Sequence, residues 1–212
     1  MAIPPHLSME QAAAVPIAYI TAYDMIFTWG HLKAGETLLV MGASSGVGVA
    51  CIQIGRLIGA RTIGTSGSAD KLARLRPLGL DVGIQTRKAD FAAAVREASG
   101  GKGADLIINN VGGTVFAECI RALAYRGRLA TVGYVDGVVK AELDLEALHA
   151  NCLELFGVSN KKAFDALFPT LNYLPFKVIE TISYDPTARD LSVEVTKAKA
   201  SKADFVLLIS RQ

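Results

Sequence analysis

The chain is short of the residues that most often carry chemistry. Its 212 residues include three cysteines and three histidines, and none falls in a C-x-x-C or Cys/His ligand spacing. Cys51, Cys119 and Cys152 each sit singly in apolar sequence, which predicts buried free thiols rather than a disulfide or a metal site. His6, His31 and His149 lie in a Pro-rich start, a helix-to-turn junction and a helix end. No nucleophile or carboxylate pattern accompanies them, so neither a triad nor a metal centre is expected. Charge of one sign is scarce too. The 22 Lys and Arg against 20 Asp and Glu leave a net +2, scattered along the chain without a basic block for nucleic acid or an anionic membrane. Apolar runs are broken by Gly, Asp or Arg before they reach membrane-spanning length, and the N-terminus has no basic region followed by an apolar core. A reducing, cytoplasmic setting is the expectation.

What is present is apolar residue in quantity, 51% of the chain, enough for one large domain or two small ones. The stretch Thr37–Ala60 organises it. A short β-prone run stops at the small residues Gly42, Ala43, Ser44, Ser45, Gly46 and Gly48, and an apolar stripe with helical spacing follows: Val47, Cys51, Ile54, Ile58. That pattern predicts a strand, a tight turn and a helix. Small residues let a diphosphate approach the backbone, and the free N–H groups and positive dipole end of the helix face its charge. The glycines do not spell a strict G-x-G-x-x-G, so an ordinary strand-to-helix turn stays open beside a phosphate turn.

Upstream, Ser8 and Gln11 have the spacing of a capping box, which predicts a short helix over 9–15. Pro16 suits the first turn of a second helix running to about Leu32. Downstream, strands are expected at 61–65, 81–85, 128–134 and 152–158, with a buried strand in the stretch 104–113 that ends in amide side chains and two glycines, and helices over 69–78, 90–99, 114–124 and 144–150. Gly100 and Gly101 mark a helix stop. The alternation argues for an α/β fold: a doubly wound, mostly parallel sheet with helices on both faces. Three strand ends consist of glycine and small polar groups: Ser66-Gly67-Ser68, Asn110-Val111-Gly112, and Gly133-Tyr134. In such a sheet these ends share one edge, where ligands bind. The second strand ends without the acid that holds a ribose 2′-hydroxyl in NAD proteins and offers Ser66, Ser68, Lys71 and Arg74 instead, which leans toward NADP. Alternatively Ser68 only caps a helix whose cations are solvated. Tyr134 is the one residue at this edge able to donate a proton, with packing at a strand end as its other reading.

From Leu7 to about Asn160 the chain resembles the zinc-independent quinone oxidoreductase (zeta-crystallin-like) and enoyl reductase branch of the medium-chain dehydrogenase/reductase superfamily. The matching stretches are AAAVPIA from Ala12 with Thr21-Ala22-Tyr23, Lys33 to Glu36 with Leu38-Leu39-Val40, Gly42 to Gly48 with Gln53, Gly59-Ala60, and Gly127-Arg128 with Val132-Gly133. The resemblance implies a Rossmann domain that binds NADP, or less readily NAD. It implies Ala43, Ser44, Ser45, Gly46 and Val47 on the diphosphate, and Ser66, Gly67 and Lys71 near the adenosine phosphate. Asn110, Val111, Gly112, Gly133 and Tyr134 fall near the nicotinamide, and the Gln53 face belongs to helix packing. Two departures stand out: Gln85-Thr86 replaces the Asn-Tyr pair common in this branch, and the barrel-like domain that supplies much of the substrate cleft in the family does not precede residue 1. The implied organisation is a helical segment at 1–35, a dinucleotide-binding domain at 36–160 and a β-α-β tail at 161–212. Residues 163–211 resemble a segment of a branched-chain amino-acid-type periplasmic binding protein, so that a chimera and a divergent reductase end both remain open. The implied function is hydride transfer to a quinone or conjugated carbonyl, with a nucleotide-binding but inactive module, and more remotely solute binding, as alternatives. Its partners would be the dinucleotide, a small quinone or enone, and a second copy in a homodimer, with no nucleic acid and no membrane.

Overall fold

A computed structural model describes Pro5 and residues 7–159. The tail elements expected beyond 160, and with them the binding-protein resemblance, lie outside the described residues. Residues 18–160 form one compact unit, and residues 1–17 belong to another. Of the latter, the described part opens helix α1 (Met9–Tyr23) with the expected capping box: Gln11 N donates to Ser8 Oγ at 3.2 Å, and Ser8 N to Gln11 Oε1 at 2.9 Å.

The compact unit is built on six strands: β1 (Thr37–Val40), β2 (Arg61–Ser66), β3 (Val82–Gln85), β4 (Ala104–Asn109), β5 (Leu123–Thr131) and β6 (Glu154–Gly157). All pair in parallel, in the order β3-β2-β1-β4-β5-β6. Helices α2 (Gly46–Ile58), α3 (Ala69–Leu75), α4 (Ala92–Ala98), α5 (Phe116–Ala122) and α6 (Leu145–Ala150) supply the connections. Strand side chains alternate faces, and the core divides accordingly. Leu38, Val40, Leu106, Ile108 and Ala130 pack with Cys51 and Ile52 of α2 and Leu72 of α3. Leu39, Ile107 and Leu129 pack on the other face with Val95 of α4 and Cys119 and Ile120 of α5. Sequential strands that read as continuous apolar runs are therefore covered twice, as a parallel sheet requires.

Several boundaries differ from those read in the sequence. α1 runs through Pro16 instead of breaking there, then widens into a π-turn over Asp24–Thr28. A proline removes one hydrogen bond of a helix interior, and packing of Ala22, Met25 and Ile26 into the core holds the segment helical beyond it. β5 begins at Leu123, carries a register shift against β4 and a left-handed Arg126 (φ 60), and ends at Thr131. Val132, Gly133 and Tyr134 consequently form loop beyond the strand. Cys51 and Cys119 are buried as expected, and burial pushes both thiols far up. Cys152 is exposed instead. It occupies the left-handed turn that ends α6 (φ 50), where its N–H donates to His149 O at 3.2 Å, so its side chain projects from the surface.

The two ends of the sheet are chemically unlike. At the N-terminal edge, carboxylates accept N–H groups near the strand starts: Asp105 from Thr37 at 2.8 Å and Asp81 from Thr62 at 2.7 Å. The half-buried Glu36 pairs with Arg128 at 2.8 Å, and the same guanidinium reaches Asp105 O and His31 O. Acids thus cluster where the strands begin. The opposite edge is built from small and amide side chains.

Candidate dinucleotide site

Strand order reverses between β1 and β4, whose connections leave in opposite directions. The crevice beyond the C-terminal ends of these two strands is the topological switch point at which open α/β sheets bind ligands. The turn after β1 forms one wall. Gly42 takes φ +62, which only glycine adopts freely, and its N–H is held by Thr65 Oγ1 at 3.2 Å. Ala43 N donates to Thr65 O at 2.9 Å, fastening the turn to β2. Ser45 is the N-cap of α2, its Oγ accepting Gly48 N at 3.1 Å. Gly48 presses directly on this turn: a Cβ there would lie 2.7 Å from both Gly42 O and Ala43 O. A Cβ on Gly46 would meet open space. The N–H groups of Gly46 and Val47 have no hydrogen-bond acceptor among the described residues. The residues expected at a diphosphate are therefore assembled as a rigid turn with free donors at the start of a helix.

β2 continues this wall. Ser44 Oγ and Ser66 Oγ stand 3.5 Å apart, joining two sites that sequence reading kept separate. Ser68 caps α3 through Lys71 N at 3.4 Å, so the capping role is real, while the Lys71 side chain is exposed and in no ion pair among the described residues. Beside them lies a residue that sequence reading missed. Arg87, two residues beyond the strand partner of Ser66, lays its side chain over Gly67: a Cβ on that glycine would fall 2.5 Å from Arg87 Nε and 2.7 Å from its Cγ. The adjacency of β2 and β3 was the available signal.

The other wall is the turn after β4. Asn109 is 1% exposed and fully engaged: its Oδ1 accepts Val111 N and Gly112 N at 2.9 and 3.0 Å, and its Nδ2 donates to Gly112 O at 2.9 Å. This amide is the internal strut of the turn, another role not anticipated. Asn110 differs. Its Nδ2 donates to Met41 O at 3.2 Å, bridging β4 to the turn after β1. That bond fixes the orientation of the amide, because a flip would set two acceptors face to face. Its Oδ1 is buried and has no hydrogen-bond partner among the described residues.

Beyond β5, Tyr134 begins a β-turn closed by Gly137 N donating to Tyr134 O at 2.9 Å. Its side chain is 63% exposed, so it is not packed at a strand end as the alternative reading had it. Gly133 lies beside Asn110, 3.5 Å separating its Cβ position from Asn110 O. Asp136 in the same turn was also missed. Its carboxylate accepts Thr114 N at 2.8 Å, Thr114 Oγ1 at 2.5 Å and Val138 N at 2.9 Å. Burial raises the pKa of this carboxyl, but the hydrogen bonds from Thr114, Val138 and Gly113 outweigh it and hold the group below the usual aspartate range.

Against known proteins, the family model for zinc-binding dehydrogenases matches residues 46–171. The chain belongs to this family. It is 35% identical over 153 residues to a reducing polyketide synthase, PKS1 of Cochliobolus heterostrophus, a match covering 70% of this chain and 6% of that protein. Among solved structures it is similar to the JamJ enoyl reductase (28% identity, TM-score 0.68, 82% of this chain and 52% of that one). A mycobacterial protein, Rv1454c, solved with NADPH, matches at 28% identity and a TM-score of 0.67, over 84% of this chain and 58% of its own. The chain spans a small part of the synthase and about half of the two solved chains. The likeness drawn from its motifs therefore holds for the dinucleotide-binding part of an oxidoreductase of the medium-chain dehydrogenase/reductase superfamily. The resemblance of residues 163–211 to a binding protein gains no support from these relatives. Among the described residues no group of three or more His, Cys, Asp or Glu stands together to hold a metal, and the two buried cysteines lie in clusters on opposite faces of the sheet. No described helix is long and apolar enough to cross a membrane.

Proposed function

We propose that this family member binds NADP(H) along the C-terminal edge of its sheet, as the cofactor half of a reductase acting on a quinone or conjugated carbonyl. The observation that carries the reading is Asn110 Oδ1, a buried acceptor beyond the ends of β1 and β4 that no described residue supplies with a donor. Leaving a buried acceptor unpaired costs about 1–3 kcal/mol, and a ribose hydroxyl or carboxamide of a dinucleotide would supply the missing donor. In this reading the diphosphate lies against the turn Ala43 to Val47 and faces the free N–H groups of Gly46 and Val47. Ser66, Lys71 and Arg87 surround a 2′-phosphate, and Val111, Gly112, Gly133 and Tyr134 flank the nicotinamide. Bound there, the cofactor supplies the hydride. The chain's own residues hold and orient it, and the exposed Tyr134 hydroxyl is the nearest candidate for a proton or hydrogen bond to the reduced substrate. The division at residues 35 and 160 and independence from zinc complete the reading. So do a cytoplasmic setting and pairing of two copies. Light scattering at micromolar concentration checks the pairing, and a mass of one chain throughout would refute it.

The experiment is a fluorescence titration with NADPH, comparing the wild type with Asn110→Leu. The wild type is expected to bind, and the variant to bind about tenfold more weakly or worse, since it loses both the hydrogen bond to a polar ligand group and the Nδ2 bond to Met41 O that ties the two walls together. A leucine that binds as well as asparagine would mean the orphan acceptor faces no ligand.

A further inference from the structure

Two loops of the cofactor edge, 111–114 after β4 and 134–138 after β5, come from neighbouring strands but not from neighbouring sequence. Four hydrogen bonds cross between them: Thr114 N and Thr114 Oγ1 to the Asp136 carboxylate, Asp136 N to Val111 O at 3.0 Å, and Gly113 N to Val138 O at 3.0 Å. Asp136 takes part in three of the four. Its fit is close as well as polar. A Cβ on Gly112 would fall 2.6 Å from Asp136 Cγ, and one on Gly113 would fall 2.5 Å from Val138 Cγ1. Gly112 has φ +134, so glycine is demanded twice, by the backbone and by the carboxylate lying on it.

We infer that Asp136 is a positioning residue for the nicotinamide end of the site, fixing the loops that carry Val111, Gly112, Gly133 and Tyr134 in one arrangement. The inference rests on the dinucleotide reading above and goes beyond it by separating the two ends of the ligand. The diphosphate turn at Gly42–Gly48 and the Ser66–Lys71 segment owe nothing to Asp136: their hydrogen bonds run to Thr65, Ser45 and Ser68. The group must also be an acid. The groups that face its two oxygens are all donors: Thr114 N, Thr114 Oγ1 and Val138 N, with the Gly113 N–H directed at the carboxylate as well. An asparagine would turn its own NH2 toward one of these donors, so one end of the clip would open.

The test compares NADPH with 2′-phospho-ADP-ribose, which keeps the adenosine phosphate and the diphosphate but lacks nicotinamide. Affinities of both are measured for the wild type, Asp136→Asn and Thr114→Val. Asp136→Asn is expected to bind NADPH at least tenfold more weakly and 2′-phospho-ADP-ribose within twofold of the wild type. Thr114→Val, which removes the hydroxyl and leaves the fold otherwise intact, should shift the same ratio about threefold, and Thr114→Ser should restore it. Equal losses for both ligands, or no change in the ratio for either variant, would overturn the positioning role while leaving the dinucleotide site standing. A wild type that binds neither compound would remove the site itself and the inference with it.

Discussion

Ser45→Asp is expected to reduce NADPH affinity at least a hundredfold while the melting temperature stays within a degree or two of the wild type. Ser45 caps α2 by accepting Gly48 N, and aspartate is as good an N-cap as serine. A carboxylate at a helix N-terminus also gains from the helix dipole, so the substitution is neutral or mildly stabilising for the fold. For the ligand the sign is reversed. The new charge would sit in the turn whose free N–H groups await the diphosphate, and two like charges about 4 Å apart at a partly buried site repel by roughly 4 kcal/mol. Screening by salt and by outward rotation of the side chain removes part of that, and at least about 2.7 kcal/mol, a hundredfold, should remain. Fluorescence titration and a thermal melt on the same preparation check both halves. Undiminished binding would show that the diphosphate lies elsewhere, and a collapsed melting temperature would show that Ser45 does more for the fold than cap one helix.

The second large effect concerns which dinucleotide is chosen. Arg87→Ala should cut NADPH affinity by ten- to a hundredfold and leave NADH binding unchanged. A charge-assisted hydrogen bond is worth about 1.5–3 kcal/mol, and arginine grips a phosphate through two parallel bonds. Arg87 already lies over Gly67, beside Ser66, and no described carboxylate pairs with it. The guanidinium is thus unneutralised where a 2′-phosphate would come. Dissociation constants for both nucleotides with both proteins decide the matter. An equal loss for NADH and NADPH would assign Arg87 to general attraction of anions, and no loss at all would place the 2′-phosphate away from β3.

The sequence was most informative where one short stretch determines its own geometry. The turn at Gly42–Gly48 was legible because positive φ, an N-cap serine and an apolar helical stripe all occur within 22 residues of one another, Thr37 to Ile58. The doubly wound parallel sheet followed from the alternation of strand and helix patterns. The rest depended on contacts that local pattern does not encode. Asn109 and Asn110 look alike in sequence, but one amide is consumed inside its own turn and the next is left with a buried acceptor that no described residue pairs. Arg87 gains its position only through the pairing of β3 with β2. Asp136 reads as an ordinary residue of an Asp-Gly turn, and its bonds to Thr114 connect positions 22 residues apart. Pro16 is the converse case: its local preference for a helix boundary is overridden.

The contrast between the two ends of the sheet bears on how such a protein changes over evolutionary time. Carboxylates at the strand starts are spent on backbone N–H groups, so that end is tied to the fold and has little freedom to vary. At the other end the grip on a diphosphate would come from the main chain, which a side-chain change leaves in place unless it alters the glycines or brings a negative charge into the turn. Nucleotide preference would rest on a few exposed side chains at the ends of β2 and β3, and those are separable from the scaffold. A lineage carrying this sheet can therefore exchange one reductant for another in one or two steps, and can be joined to new substrate-binding partners, without rebuilding the structure that holds the cofactor.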